Sequence, residues 1–268
     1  MLRTFYFGGA QRRSKKSKME RNVEQMKKRL LAILLTLALA CTLLPQMGLL
    51  AKAETYSGTC GAEGDNLTWT LSSDTGLLTI SGTGEMADYD FIETPWSDYS
   101  FTNVILPDGL TKIGNYAFYC CHKLNLVTIP DHVISIGNNA FSSCNALITI
   151  TISNSVTSIG KSAFSGCFGL TSVTISNSVI SIGNSAFASC YGLTSVTIPD
   201  GVVSIGDDAF WNCYRMTSVT ISDSVTTIGE KAFGFFINDE TCDVDKIDGF
   251  IIYGYADSAA QAYAEENG

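Results

Sequence analysis

Histidine and proline are scarce in this chain, and the motifs that catalysis and metal binding usually need are missing. Its 268 residues include five prolines and two histidines, His122 and His132. No G-x-S-x-G nucleophile motif occurs, and no C-x-x-C pair that could open a zinc site. The many serines follow a repeat, so none stands out as a nucleophile. These absences predict that the chain is not an enzyme and needs no metal or cofactor.

Positive charge is scarce beyond residue 53. The first 53 residues contain 11 of the 17 Lys and Arg and two acidic residues, which leaves 6 basic against 24 acidic residues in the remainder. Binding duplex nucleic acid requires a basic surface that neutralises phosphates. An acidic chain of this kind therefore excludes nucleic acid as the expected partner.

The basic N-terminal part has the order of elements of an export signal. Lys27–Arg29 precede the apolar run Leu30–Leu44, and Ala51–Ala53 form a small-residue cleavage site. We therefore expect residues 1–53 to be an N-terminal extension and signal peptide, with a start at Met26 and cleavage before Glu54. The protein would then touch a membrane only through its signal peptide.

Two other interpretations of this segment were weighed. A transmembrane anchor would need about 20 apolar residues, and the run Leu30–Leu44 is shorter. A lipid anchor at Cys41 would require a leucine three residues upstream, where Ala38 stands. Both are less favoured than secretion.

The main feature that is present is a repeat of 23 residues, found six times without insertion. A fixed period in this range is typical of a solenoid, in which each coil buries its apolar face against its neighbours. The copies begin at Phe101, Leu124, Leu147, Leu170, Leu193 and Met216.

Within each copy, apolar residues occupy positions 1, 4, 6, 10, 13 and 18. Positions 4 and 6 alternate with polar residues, which predicts a short strand with positions 3, 5 and 7 facing away from the core. Positions 10–13 predict a second extended piece. A glycine at position 14 suggests either a left-handed or a tightly packed backbone. The A-F-x-x-C segment that ends the copy predicts one helical or 3₁₀ turn, with its phenylalanine in the core.

The fold expected is therefore a leucine-rich-repeat type solenoid of β-rich parallel coils with short helical or 3₁₀ turns, capped at both ends. Residues 54–100 form an N-terminal cap with a hairpin of Leu67–Leu71 and Leu77–Ser81. Residues 101–238 form the six repeats. Residues 239–268 form a C-terminal cap with a strand at Phe250–Tyr253 and a helix from about Ala259.

The repeat motif L-x-x-V-x-I-P-x-x-V-x-x-I-G-x-x-A-F-x-x-C resembles the BspA-like leucine-rich repeat of bacterial secreted and surface proteins. The segments Ser57–Met86 and Ile252–Gly268 are similar to flanking segments of that family. The resemblance implies a bacterial, non-catalytic binding or adhesion module, secreted or at the cell surface. Its partner would be an extracellular host or matrix protein.

Five cysteines share position 21, and the period predicts that they stack inward as free, buried thiols. They are Cys121, Cys144, Cys167, Cys190 and Cys213. Three other cysteines, Cys60, Cys120 and Cys242, lie outside this column and are the candidates for crosslinks. The acidic segment Asn238–Gly249 could hold Ca²⁺ through carboxylates, but its spacing is not that of an EF-hand, so a solvated loop is preferred.

Two surfaces could bind a partner. The first is an aromatic edge at position 22, formed by Phe168, Tyr191 and Tyr214 with Trp211 nearby, whose residue types suit protein or sugar contacts. The second is a hydroxyl-rich strand face, with Thr151, Thr174, Thr197 and Thr220 at position 5. Protein binding is the favoured function. A carbohydrate-binding module that uses the aromatic edge is the alternative, and a regular threonine array would also suit an ice or mineral surface.

Overall fold

The computed structural model describes residues 54–91, 93–238 and 240–267. The predicted signal peptide and its cleavage site at Ala51–Ala53 lie outside these residues. Within them the chain forms 18 strands and one helix: β1 (Thr55–Gly61), β2 (Gly64–Ser72), β3 (Leu77–Gly82), β4 (Gly84–Glu85), β5 (Asn103–Ile105), β6 (Leu110–Ile113), β7 (Ser135–Ile136), β8 (Thr149–Thr151), β9 (Ser158–Ile159), β10 (Ser172–Thr174), β11 (Ser181–Ile182), β12 (Ser195–Ile198), β13 (Ser204–Ile205), β14 (Ser218–Ile221), β15 (Thr227–Ile228), β16 (Phe235–Ile237), β17 (Val244–Lys246), β18 (Ile251–Tyr253) and α1 (Ala259–Asn267).

The repeats supply two stacks of short parallel strands. Residues at positions 10–13 of the six repeats form six strands of a parallel sheet, and β4 of the N-terminal cap adds the seventh, in the order β15-β13-β11-β9-β7-β6-β4. Its partners lie one repeat apart, as in the pairing of Ile159 with Ile182. Positions 3–6 form the other stack, with β8 paired to β10 and β12 paired to β14. The predicted solenoid of parallel coils is confirmed.

A column of phenylalanine rings runs through the core. The six residues at position 18 are at most 1% exposed, and neighbouring rings stack with centroids 5.0–5.3 Å apart. This spacing is close to that of adjacent strands, because one coil contributes one strand and one ring. The column comprises Phe118, Phe141, Phe164, Phe187, Phe210 and Phe233.

The glycines at position 14 allow successive coils to pack so closely that no side chain would fit between them. A Cβ added to Gly160 would lie 2.6 Å from the carbonyl carbon of Gly137, and one added to Gly183 would lie 2.7 Å from that of Gly160. Their φ values are not left-handed. Of the two expectations for this position, tight packing is therefore correct and a left-handed backbone is wrong.

Left-handed backbone occurs instead at positions 16 and 20, and it changes the predicted turn. Position 16 has φ between 51° and 56° in all six repeats, and position 20 is left-handed in the first five. Such residues interrupt a right-handed helix. The A-F-x-x-C segment is therefore a series of hydrogen-bonded turns with i→i+3 bonds, such as Ser165 N–H to Ser162 O at 3.1 Å, in place of a continuous helix. Alternate backbone amides of this segment bond to the next coil, as Phe164 N–H does to Ala186 O at 2.8 Å.

Position 7 also differs from the prediction. Ser153, Ser176 and Ser222 are 7–8% exposed and do not face solvent. The hydroxyl of Ser153 donates to Pro130 O at 3.1 Å, and that of Ser176 donates to Ser153 O at 3.0 Å. A small hydroxyl can turn back to satisfy a carbonyl of the preceding coil, which a simple in–out alternation does not anticipate.

The side chains at position 15 form a polar column that accepts hydrogen bonds from backbone amides of the next coil. The hydrophobic pattern of the sequence did not predict this column. Asn115 Oδ1 accepts from the Asn138 amide at 2.6 Å, and Asn138 Oδ1 accepts from the Lys161 amide at 2.8 Å. Asp207 Oδ1 accepts from the Glu230 amide at 3.0 Å. These side chains pair amides that would otherwise remain open between coils.

The N-terminal cap closes the first coil. Strands β2 and β3 form the predicted hairpin, and β1 adds a third, antiparallel strand that was not predicted. Strand β3 pairs in parallel with β5 and so joins the cap to the first repeat. The ring of Trp96 stacks on Phe118 at 5.5 Å, and its Nε1–H donates to Ala117 O at 2.9 Å.

The C-terminal cap closes the other end. The predicted strand is present as β18, which pairs in parallel with β14, and the predicted helix is α1. Tyr263 of α1 packs edge-on against Phe233 at 6.2 Å, and its hydroxyl donates to Phe233 O at 3.0 Å. The antiparallel pair β16–β17 was not predicted. It begins at Phe235, position 20 of the sixth repeat, which lies in a turn in the other five repeats.

Candidate functional site

Phe168, Tyr191 and Tyr214, here called the aromatic ladder, lie side by side on the surface. The ring centroids of Phe168 and Tyr191 are 4.7 Å apart and their planes are within 5°. The rings of Tyr191 and Tyr214 are 4.9 Å apart and tilted by 42°. Phe168 is 45% exposed and Tyr214 is 46% exposed, whereas Tyr191 is half-buried between them. The ladder is therefore a contiguous apolar surface with two hydroxyl groups.

The coil geometry builds this ladder. Each ring lies at position 22 of its repeat, directly after the A-F-x-x-C turns. The backbone there is held by hydrogen bonds such as Phe168 N–H to Gly166 O at 2.9 Å. One ring per coil gives a separation equal to the strand spacing. Asn212 Nδ2 reaches the hydroxyl of Tyr191 at 3.5 Å.

Trp211 is placed differently from the other three predicted residues. It is half-buried and packs against the hydrophobic core. Only part of its indole is therefore available to a partner.

A cavity of about 540 Å³ adjoins the C-terminal end of the ladder. Tyr214 and Ile237 form part of its wall, together with Glu240, Lys246 and Asp248. It is therefore an apolar hollow with a mixed, mainly acidic rim. Sequence reasoning missed it, because its far wall is made by β16 and β17.

The predicted strand face is exposed at position 5. All four threonines at this position lie on the surface: Thr151, Thr174, Thr197 and Thr220. Thr197 of β12 is the parallel cross-strand neighbour of Thr220 of β14. In the described residues, β10 and β12 belong to different sheets, although the two strands are in contact. The strand face lacks large apolar groups over these four coils.

A second cavity brings cysteine and histidine together but does not form a catalytic pair. Cys120, Cys121 and His122 line a cavity of about 450 Å³ near the N-terminal cap. His122 Nδ1 is hydrogen-bonded to Ser143 O at 2.9 Å. Burial raises the pKa of Cys121 to about 12, so its thiol is neutral at physiological pH. The imidazole is thus oriented by a carbonyl and does not activate that thiol.

The cysteine column is inward and free. Cys144, Cys167, Cys190 and Cys213 are at most 1% exposed, while Cys121 is partly buried. The thiol of Cys190 donates to Phe164 O at 3.3 Å, and the other three fully buried thiols make the same contact with their own neighbouring coil. Of the candidate crosslinkers, Cys60 is buried, Cys120 is half-buried and Cys242 is exposed.

Neither a metal site nor a membrane span is found in the part of the chain that the structure describes. No three His, Cys, Asp or Glu side chains in those residues are grouped so that they could hold a metal ion. In the acidic segment that was considered for calcium, Asp245 accepts a hydrogen bond from Asn238 at 2.7 Å. Over the same residues, no helix is both long and apolar enough to cross a bilayer.

Solved structures of bacterial leucine-rich-repeat proteins are similar to this chain. The T. pallidum leucine-rich repeat protein is 28% identical, with 60% of this chain and 82% of that chain covered and a TM-score of 0.46. A leucine-rich cell surface protein of Faecalibacterium prausnitzii A2-165 is 24% identical, with 68% and 75% covered and a TM-score of 0.31. The pneumococcal vaccine antigen PcpA is 16% identical, with 63% and 48% covered and a TM-score of 0.46.

The family comparison covers the repeats directly. No curated protein sequence matches the chain. The model of the BspA type leucine-rich repeat region matches residues 94–214 and 157–246, with six copies, and these ranges together span more than half of the chain. With the parallel coils and the stacked phenylalanine column, this match shows that the chain belongs to the BspA-type leucine-rich repeat family.

Proposed function

We propose that this protein is a secreted or cell-surface binding module that attaches to an extracellular host or matrix protein through the aromatic ladder. The observation that carries the proposal is the contact of three aromatic rings on the surface, two of them nearly half exposed. Interface energy is concentrated in a few large anchors, among which Trp and Tyr are enriched, whereas Ser and Thr contribute little. The ladder is therefore favoured over the strand face as the docking site.

A binding role without catalysis agrees with the fold. The leucine-rich-repeat solenoid of this family is a non-enzymatic fold class. In the cavity lined by Cys120, Cys121 and His122, the histidine bonds to a carbonyl, and burial raises the pKa of Cys121. The Cys121 thiol is therefore protonated at physiological pH and is not an activated nucleophile.

The geometry of the ladder favours a protein over the alternative, a glycan. Sugars pack their C–H groups against the faces of aromatic rings, because the ring face carries the negative part of the quadrupole. In the ladder, the facing sides of Phe168 and Tyr191 are covered by each other at 4.7 Å. The rings thus offer mainly edges and hydroxyl groups, which suit the mixed apolar and polar surface of a protein.

The charge of the chain favours a basic partner. Residues 54–268 contain 24 acidic and 6 basic residues, a net charge of −18. A basic protein would associate faster at low ionic strength, and added salt would screen this attraction. We expect the association rate to fall with salt more steeply than the dissociation rate rises.

Loss of the ladder tyrosines should weaken binding far more than loss of the strand-face threonines. We expect Tyr191→Ala and Tyr214→Ala each to weaken affinity about 30-fold or more, as for anchors worth about 2 kcal/mol. Thr174→Ala and Thr197→Ala lie in the same two coils and should change affinity by less than about threefold. The partner is recovered by pull-down of extracellular proteins, and affinities are then measured by calorimetry or surface plasmon resonance.

Circular dichroism and denaturant melts of the four variants show whether each remains folded. If the threonine variants abolish binding and the tyrosine variants do not, the strand face is the site. A glycan array probed with the same four variants tests the carbohydrate alternative. Glycan binding that depends on Tyr191 or Tyr214 would replace the protein-binding proposal.

Export makes a separate prediction. We expect the protein recovered from the culture medium of a bacterial host to begin at or near Glu54, because the order Lys27–Arg29, Leu30–Leu44 and Ala51–Ala53 is that of a cleaved signal. N-terminal sequencing checks the cleavage position. Recovery only in the membrane fraction, with Leu30–Leu44 intact, would contradict it.

A further inference from the structure

The row of residues at position 22 continues beyond the aromatic ladder. Ile237 occupies position 22 of the sixth repeat, 23 residues after Tyr214. It belongs to β16 and is 38% exposed. Ile237 and Tyr214 both line the cavity of about 540 Å³ beside the ladder. The ladder therefore ends in a hollow that has one aromatic wall and one aliphatic wall.

The side of Tyr214 that faces this cavity is not covered by another ring. Among the described residues, its one stacked aromatic neighbour is Tyr191 of the preceding coil, at 4.9 Å, and the Tyr214 side chain is 46% exposed. The following coil contributes Ile237 at the equivalent position in place of a ring. The face of an aromatic ring carries the negative part of its quadrupole and attracts cations. The C-terminal side of Tyr214 is thus available to a cation.

Two carboxylates at the rim of the cavity have no cation of their own. Glu240 and Asp248 line the cavity and are exposed, and no salt bridge among the described residues includes either of them. Lys246 also lines the cavity, but its ammonium group donates to Asn267 O at the end of α1. The segment Asn238–Gly249 contains five acidic residues and one basic residue. The potential at this rim therefore attracts a cation.

We propose that this cavity receives an arginine side chain of the protein that docks on the aromatic ladder. The methylene groups of the arginine pack on Ile237, its guanidinium stacks on the open side of Tyr214, and its N–H groups donate to Glu240 and Asp248. The inference rests on the proposed function, because the arginine belongs to that partner. It gives the basic partner one defined contact in addition to the general attraction of opposite charges.

The two kinds of wall favour arginine over lysine. A guanidinium is planar, stacks on aromatic faces and presents its N–H donors in a fixed fork, whereas an ammonium is a compact and strongly hydrated point charge. Glu240 precedes β17 and Asp248 follows it, so the two carboxylates approach the cavity from different segments. An exposed ion pair by itself contributes little to binding. The ring and the aliphatic wall are therefore needed for selectivity.

Titration with a single amino-acid probe tests the cavity without the partner. We expect Nα-acetyl-L-arginine amide to shift the backbone amide resonances of Ile237 and Asp248 in ¹⁵N-labelled protein, with saturation in the millimolar range. Nα-acetyl-L-citrulline amide has nearly the same shape without the charge and should bind about fivefold more weakly or worse. No saturable shift up to about 50 mM, or equal affinity for the two probes, would overturn the inference.

Charge-removing variants show whether the rim carboxylates are responsible. The pair Glu240→Gln with Asp248→Asn should weaken the arginine probe about fivefold or more, because both acceptors lose their charge. The matched control is Glu63→Gln with Asp131→Asn, which removes two exposed carboxylates elsewhere on the chain and should leave the affinity within about twofold. Equal weakening by the two pairs would mean that net charge alone attracts the probe, and the cavity would not be the site.

A change of the ring tests the stacking contact. Tyr214→Leu removes the aromatic face and should weaken the arginine probe about threefold or more. Phe168→Leu is the control, because Phe168 lies at the other end of the ladder and is 45% exposed, close to the 46% of Tyr214. Equal effects of the two changes would contradict stacking on Tyr214.

The partner recovered by pull-down separates this inference from the proposed function. We expect Glu240→Gln with Asp248→Asn to weaken the partner about tenfold, and the control pair to change its affinity by less than about twofold. If Tyr191→Ala weakens the partner and the rim pair does not, docking on the ladder stands and the arginine contact is wrong. If Tyr191→Ala leaves the affinity unchanged, the proposed function fails, and the arginine titration alone decides whether the cavity binds this side chain.

Discussion

Phe187→Ala should lower the free energy of unfolding by about 3–5 kcal/mol. Phe187 is fully buried, and its ring stacks between Phe164 at 5.2 Å and Phe210 at 5.1 Å. The coils cannot close the resulting cavity, because their spacing is fixed by backbone hydrogen bonds such as Phe187 N–H to Ala209 O at 2.8 Å. The cost should therefore include both the lost burial and an unrelaxed cavity. Chemical denaturation followed by circular dichroism measures it.

The matched control is Thr174→Ala in the same coil. Thr174 is exposed on β10, and its replacement should change the free energy of unfolding by no more than about 0.5 kcal/mol. Similar denaturation midpoints for the two variants would show that Phe187 does not lie in the core column.

Gly183→Ala should destabilise the protein by about 3 kcal/mol or more, although it adds a single methyl group. The new Cβ would lie 2.7 Å from both Gly160 C and Lys161 N, which are backbone atoms of the preceding coil. Backbone atoms cannot rotate away as a flexible side chain would. The amide of Gly183 is also tied to Ile159 O at 2.9 Å, so the clash must separate the coils or break that hydrogen bond.

Gly166→Ala is the control, because this glycine lies in a different environment. Its φ is +71°, but the equivalent positions of the flanking coils are Ser143 and Ser189, with φ of 62° and 57°. A Cβ at Gly166 would first meet Ser143 Oγ at 3.3 Å, and this side chain can adjust. We expect a loss of about 1–2 kcal/mol, because alanine tolerates a left-handed φ less well than glycine. A larger loss for Gly166→Ala than for Gly183→Ala would contradict the close packing inferred at position 14.

Prediction from the sequence succeeded where the 23-residue period applies and failed where a side chain or turn departs from simple alternation. The core phenylalanines and both strand stacks followed from apolar spacing. The buried serines at position 7 did not, because a hydroxyl can face inward when it donates a hydrogen bond to a carbonyl of the preceding coil, as Ser153 does to Pro130 O. The A-F-x-x-C segment was predicted as one helical or 3₁₀ turn, and left-handed residues such as Ser185 and Ser189 restrict it to separate hydrogen-bonded turns.

The candidate site shows the same division. The position of Phe168, Tyr191 and Tyr214 in one row was predictable, since residues 23 apart occupy equivalent places in successive coils. Their stacking at 4.7–4.9 Å was not predictable, because it depends on the side-chain directions in the turn. The cavity beside Tyr214 depends on the pair β16–β17, which lies outside the repeat.

The sequence by itself determined the solenoid, the number of repeats and the family, because each repeat encodes one coil through local periodicity and contacts only its neighbours. Tertiary structure alone decided how the ends are closed and which surfaces remain open. Strand β1, its bridge from Gly61 to Met86 and the closure of the phenylalanine column by Trp96 and Tyr263 all lie outside the period. There no neighbouring coil fixes the conformation, so long-range packing must fix it.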